Sequence, residues 1–237
     1  NNNVTSRVWW ALTILFVYCG VKRQHLQSWV WAGVCLGLGM LSKYDTAILA
    51  IVMAAFSVLH PAGRRCWKTF GPVACLIAAL AVFAPHVVWL FNNDFPTVNY
   101  FLNRSGSEHE WSSHVILPLK FAAAQAGAVL PMLILAVPLI GFRWKFRKME
   151  SDEDRFNRDF LIWFAIGPFI LVEIVGLLLG VRIRSMWGTA MWSYAGVVLL
   201  FFLQLNLNRD TIRRTLTRCA VCAGLIALVF AGRNSAL

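Results

Sequence analysis

The chain has 237 residues, of which 59% are hydrophobic, with a mean hydropathy of +0.63 and a formal net charge of +11. Apolar runs near the spanning length of ~20 residues, with charges confined to short segments, predict an all-α polytopic membrane protein and leave no room for a sizeable soluble domain. The basic residues lie mainly in short loops between those runs, so the positive charge is assigned to membrane topology and not to nucleic acid.

Apolar runs fall at 8–21, 29–41, 46–59, 72–91, 115–142, 160–181, 186–205 and 219–231, which predicts about eight transmembrane helices. Pro72, Pro85, Pro118, Pro131, Pro138 and Pro168 lie in or at the ends of these runs, as membrane helices allow. No period-2 alternation suggests a barrel, and no internal repeat is visible. Residues 1–237 read as a single transmembrane domain. Because the chain opens on Asn1 with no signal peptide, the expectation is a C-terminal portion of a longer protein whose N-terminal part is missing. Cys219-Ala-Val-Cys222 has redox spacing without the βαβ context that would give it meaning, and no disulfide is inferred.

The stretch from Trp29 to Leu59 is apolar except for a polar knot, Ser42-Lys43-Tyr44-Asp45. As one helix it would be ~46 Å long against a hydrocarbon core of ~30 Å. Either one overlong helix carries Lys43 at mid-membrane, or two short helices meet there. Intramembrane charges default to functional hypotheses because Lys at a bilayer centre costs roughly 2.5–3.5 kcal/mol or more. The basic residues barely separate the two alternatives. A hairpin puts Lys22 and Arg23 inside with Arg64, Arg65 and Lys68, and leaves Arg7 and Lys43 outside; a single helix moves Arg7 inward and Lys22 and Arg23 outward. Both place 92–114 and 182–185 outside, and 143–159 and 206–218 inside.

The loop at 92–114 is the longest outside, or periplasmic, segment, and Val98 to Leu102 within it could form an interfacial helix with its aromatics inward. The cytoplasmic loop 143–159 mixes basic and acidic residues and reads as a solvated connector. Four cations stand near the face that should be poor in them. Lys43 is an anion site, or else a lysine that snorkels or pairs with Asp45. Arg104 either grips a phosphate bidentately or is a surface arginine. Arg182 and Arg184, in one short outside turn, repel each other unless an anion lies between them or they reach lipid phosphates. Glu173 and Lys120 are embedded charges that could pair with each other. Glu108-His109-Glu110 with His114 has ligand chemistry for a divalent cation, but its spacing matches no closed site. Together, Lys43, Arg104, Arg182 and Arg184 suggest a membrane-level anion, with a lipid-linked phosphate as the natural candidate.

The segment Gly33-Val-Cys-Leu-Gly37-Leu-Gly39-Met-Leu-Ser42-Lys43-Tyr44 resembles the Gly-rich helix ending in Ser/Thr-Lys of bacterial family 39-type glycosyltransferases. These GT-C membrane enzymes include dolichyl-phosphate-mannose–protein mannosyltransferases and aminoarabinose transferases acting on lipid A. Ala84-Pro85-His86 through Trp89-Leu90, Asn93-Asp94-Phe95-Pro96, Tyr100-Phe101-Leu102-Asn103-Arg104 and Val181-Arg182-Ile183-Arg184 are similar in the same order. The resemblance covers roughly residues 1–205. It implies that Lys43 lies at an outward, periplasmic turn between two spans, in what would be the bacterial inner membrane. It also implies a polyprenyl-phosphate-linked sugar donor, a glycolipid, polysaccharide or protein acceptor, and inversion with or without a divalent cation. Lys43, Arg104, Arg182 and Arg184 would bind the donor phosphate, with Tyr44, Asn93 and Asp94 as secondary contacts. The family's catalytic acidic residue is expected upstream of Asn1, and relatives carry an Asp where this chain has Asn1-Asn2-Asn3, so the 237 residues alone are expected to be inactive. The alternative function is a transporter or flippase for an anionic or lipid-linked solute.

Overall fold

The computed structural model describes residues 2–104, 111–140, 148–203 and 208–234. Helices stand where the apolar runs lie: α1 (Asn2–Arg23), α2 (Leu26–Ser42), α3 (Thr46–Leu59), a short α4 (Pro61–Cys66), α5 (Gly71–Asn92), α6 (Pro96–Arg104), α7 (Ser113–Ile140) and α8 (Asp152–Leu179). Two 3-10 turns, Ser185–Gly188 and Met191–Tyr194, then lead into α9 (Ala195–Phe202), and α10 spans Arg209–Asn234. Among the described residues, five segments are long and apolar enough to cross a membrane: those of α1, α5, α7 and α8, and the stretch Ser185–Phe202. The helices α2 and α3, with 17 and 14 residues, are shorter.

This is an all-α polytopic membrane architecture, and its outer surface fits lipid. On α8, Ile162, Ile166, Ile170 and Ile174 recur every fourth residue and are each 40–50% exposed. Phe160, Phe164 and Val172 on the other side of the helix are buried. An isoleucine stripe of that kind is stable against acyl chains and not against water. The buried side packs Phe56 of α3 against Phe160 and Phe164, with Trp10, Ile14 and Val17 of α1 completing the core.

The Gly-rich face of α2 is explained by its close approach to α5. A Cβ on Gly33 would stand 2.1 Å from the Cys75 carbonyl oxygen, and one on Gly37 would stand 2.7 Å from Val82 Cβ. Small residues four apart let the two backbones meet, which is how membrane helices gain packing contact without a hydrophobic driving force.

The long run from Trp29 to Leu59 is two helices. Lys43 is extended (φ −166°, ψ 131°), and its N–H closes the last turn of α2 on the Gly39 carbonyl at 2.8 Å. Contacts between elements then sort the chain ends. Lys22 pairs with Glu153, the Tyr18 hydroxyl donates to Asn157 Oδ1 at 2.8 Å, and His60 lies 3.8 Å from Asp159, so one end of the bundle gathers 18–24, 60–68 and 148–159. The opposite end gathers 42–46, 86–97, 113–114 and 177–186, through contacts of Lys43, Tyr44 and His114. That is the hairpin arrangement, with Lys43 and Lys22 at opposite ends.

Two segments differ from the sequence expectation. Residues 152–159 are the first two turns of α8 and not connector, because Ser151 caps the helix by accepting from Asp154 N at 3.0 Å and Asp152, Glu153 and Asp154 suit its positive N-terminal pole. The run 186–205 is interrupted by 3-10 geometry through Tyr194 instead of forming one regular helix. Residues 143–147 of the expected cytoplasmic loop lie outside the described residues, as do Glu108, His109 and Glu110.

Candidate functional site

The knot between α2 and α3 concentrates polar side chains at one end of the bundle. Lys43 Nζ lies 2.8 Å from Asp45 Oδ2 and 3.4 Å from the Met186 carbonyl, which it approaches as donor. The lysine side chain is 19% exposed and the aspartate 6%. The Lys43 ammonium and the Thr46 N–H both approach the carboxylate, but neither Asp45 oxygen meets a donor in good hydrogen-bond geometry among the described residues. In this turn, burial pushes the Asp45 carboxyl pKa up, and the Lys43 ammonium opposes that shift only in part. Thr46 beneath the turn is fully buried and accepts from Trp10 Nε1 at 3.1 Å, which anchors the knot to α1.

Tyr44 ties three elements together. Its hydroxyl lies 2.5 Å from His86 Nε2 on α5 and 2.7 Å from Thr97 Oγ1 on α6, with Phe83 edge-on to its ring. The His86 ring stacks on Trp89 at 5.4 Å. The outer segment is therefore held against the knot by its first turn. Just before it, Asp94 and Phe95 both adopt left-handed backbone (φ 55° and 53°), a strain of about 1–3 kcal/mol per non-glycine residue that surrounding contacts must hold. Asn93 is exposed and donates its Nδ2 to the Trp89 carbonyl at 2.8 Å, while the Asp94 carbonyl accepts from Asn99 Nδ2 at 3.0 Å. The short helix expected over 98–102 is present within α6, and its Tyr100 is 60% exposed and not turned inward. Arg104 is its last residue, and its side chain lies outside the described residues.

Arg182 and Arg184 follow Gly180, which caps α8 in the left-handed conformation (φ 59°). A Cβ on Gly180 would stand 2.8 Å from His114 Nε2, and His114 Nδ1 lies 2.9 Å from the Leu177 carbonyl, so this histidine is packed into the α7–α8 junction. Arg182 is exposed. Arg184 is half-buried, and its Nε is enclosed without a hydrogen-bond partner among the described residues. Two residues on, Met186 supplies the carbonyl that Lys43 approaches. The fold thus brings Lys43 to the Arg184–Met186 segment. Glu173 and Lys120 form no ion pair with each other, and Glu173 Oε1 is also buried without a partner.

Beside Met186 lies a cavity of about 490 Å³ between α1, α7 and the 3-10 turns, lined by Arg7, Gln125, Ser185, Met186, Thr189 and Trp192 among others. Of these, Arg7 had entered only as a topology charge, and Gln125 carries a role that sequence reading passed over. Arg7 is a further cation at this end of the bundle. Gln125, 2% exposed, donates Nε2 to the Ser185 carbonyl and accepts from Trp192 Nε1, both at 2.9 Å, and so clamps the turns to α7. Its signal was a lone amide in an Ala-rich membrane run, where polar side chains act as interhelical glue. Among the described residues, no three His, Cys, Asp or Glu side chains stand close enough to share a metal ion.

Residues 1–89 match the model of the dolichyl-phosphate-mannose-protein mannosyltransferase family. Over 74 residues the chain is 32% identical to the lipopolysaccharide core galacturonosyltransferase RgtA of Rhizobium johnstonii. That stretch is 31% of this chain, and it spans only 15% of the length of this curated relative. No solved structure matches. Both similarities fall on glycosyltransferases, and the family match covers α1 to α4, most of α5 and the Lys43 turn.

Proposed function

We propose that this chain is part of a membrane glycosyltransferase that takes a sugar from a polyprenyl-phosphate donor at the periplasmic face and passes it to a lipid, polysaccharide or protein acceptor. In this reading Lys43 and Arg184 are the principal phosphate ligands. Arg104 and Arg182 complete the cationic rim, and Tyr44, Asn93 and Asp94 hold the outer segment over the donor. The observation that carries the reading is the meeting of the Lys43 ammonium with the segment that holds the unpartnered Arg184 Nε, beside a 490 Å³ cavity. A phosphate oxygen would satisfy that N–H and replace Asp45 as the partner of Lys43. Developing negative charge on the departing phosphate would then be met by preorganised donors.

Because Asp45 competes for Lys43, the two partners of the pair make opposite predictions. Lys43→Ala and Arg184→Gln should each weaken binding of a polyprenyl monophosphate by about ten- to a hundredfold, as expected for loss of a charge-assisted hydrogen bond of ~1.5–3 kcal/mol. Asp45→Asn should leave binding unchanged or tighten it. The test is a titration of the purified protein in detergent, restricted to variants whose elution profile shows a folded monomer. Equal weakening in all three variants, or none in any, would remove the phosphate from this site.

A further inference from the structure

At the end of the bundle opposite Lys43, the chain folds α4 flat between the end of α3 and the start of α5. Pro61 suits the first helical position, where no N–H is needed, and His60 caps the helix by accepting from Ala62 N at 3.2 Å. One side of α4 faces inward. Ala62 and Cys66 are 4% and 0% exposed, and Gly63 is so close to α3 that a Cβ would stand 2.2 Å from the Phe56 carbonyl oxygen. The Cys66 thiol donates to the Ala62 carbonyl at 3.3 Å and lies 3.5 Å from Gln24 Nε2, which ties α4 to the end of α1. With that side fixed, Arg64, Arg65 and Lys68 are turned outward together.

These three cations and Pro61 line one open groove of about 350 Å³. Neither an ion pair nor a side-chain hydrogen bond engages any of the three among the described residues. Asp159, which reaches His60 at the cap of α4, is already held by Arg158 at 2.7 Å. Three like charges sharing a groove without a carboxylate repel one another, and an anion placed between them removes that cost. Close by in the chain stand exposed apolar side chains: Trp67 and Phe70 are 53% and 60% exposed, Leu59 and Leu76 are similarly uncovered, and Trp67 is oriented by its Nε1–H to the Ser57 carbonyl at 3.0 Å. Exposed tryptophan beside basic residues is the composition of a membrane–water boundary, where basic pockets between helices meet headgroups.

We propose that the Arg64, Arg65 and Lys68 groove binds the phosphate headgroup of an anionic phospholipid of the surrounding bilayer. The charge selects an anion, and the exposed Trp67, Phe70 and Leu59 next to these cations in the chain favour one attached to acyl chains over free phosphate. The site is independent of the donor-phosphate reading.

The test uses the full chain in nanodiscs of phosphatidylcholine with a minority of phosphatidylglycerol, with retained lipid counted by native mass spectrometry. The groove variant is Arg64→Gln/Arg65→Gln/Lys68→Gln. A control of equal charge loss, Arg209→Gln/Arg213→Gln/Arg214→Gln, removes exposed cations from α10. Each cation near an anionic surface contributes about a fivefold preference, which the α10 cations share, so the groove variant should lose about tenfold or more phosphatidylglycerol retention beyond the loss in the control, and that excess reports the groove. All six residues are exposed, so both variants should melt as the parent does. Equal losses in the two variants, no loss in the groove variant, or displacement of phosphatidylglycerol by millimolar inorganic phosphate would each overturn the proposal.

Discussion

Removing Lys43 should cost more stability than removing Asp45, and the difference should depend on pH. In the Lys43→Ala variant a carboxylate with a side chain 6% exposed and no aligned donor loses its counter-ion. Breaking a buried pair from one side costs about 3–5 kcal/mol because the remaining charge is left uncompensated. The pair opens to the surface through Lys43, which places this site near the lower limit, at about 3 kcal/mol. In Asp45→Asn the surviving ammonium keeps its 19% exposure and the Met186 carbonyl at 3.4 Å, so the loss should be about 1 kcal/mol, the value of an ordinary hydrogen bond. Burial raises the Asp45 pKa and Lys43 lowers it, so without Lys43 it rises further. A carboxyl whose folded pKa is raised weakens the fold above that pKa, and the weakening disappears as protons bind. The Lys43→Ala deficit should therefore be largest at neutral pH and shrink on acidification, whereas the Asp45→Asn deficit, lacking the carboxyl, should not shrink in that way. Thermal melts in detergent at several pH values, followed by size-exclusion profile, measure this. A Lys43→Ala deficit no larger than that of Asp45→Asn, or one independent of pH, would refute the reasoning.

Three further substitutions test the packing that positions the knot and the cavity. Gly33→Ala places a Cβ 2.1 Å from the backbone oxygen of Cys75, which cannot move as a side chain would, so it should destabilise by about 3 kcal/mol, the top of the overpacking range. Gly127→Ala, with nothing within 4 Å, should be neutral or slightly stabilising in the same melts. Gln125→Leu leaves the Ser185 carbonyl and the Trp192 N–H without partners, at about 1–3 kcal/mol, and should speed amide exchange across 185–194 while leaving exchange in α2 unchanged.

Much of the architecture was readable in order along the chain, because helix formation in a membrane depends on local composition. Each apolar run must satisfy its backbone internally and therefore becomes helical, and the polar residues at 42–45 stood out in a run longer than one span, though one overlong helix and two short ones both remained open. Gly33 and Gly37 were visible as part of a Gly-rich helix, whereas the α5 backbone they approach was not. The helical start at Asp152 was also written locally, in Ser151 and the acids after it, but the surrounding mixture of charges masked it.

What only the tertiary structure decided depends on residues far apart in sequence. The hairpin at Lys43 follows from contacts of Lys22 with Glu153 at one end and of Lys43 with Met186 at the other, which charge counting barely distinguished. The partner of Lys43 was visible two residues away in Asp45, but its burial was not, and burial makes the pair sensitive to proton binding. Arg7 and Gln125 gained their significance only when α1 and α7 were brought around the 3-10 turns, because the walls of a cavity and the partners of an amide belong to several segments at once. Local chemistry determined which residues carry charge into the membrane, and long-range packing determined which of those charges are already paired and which face an open space.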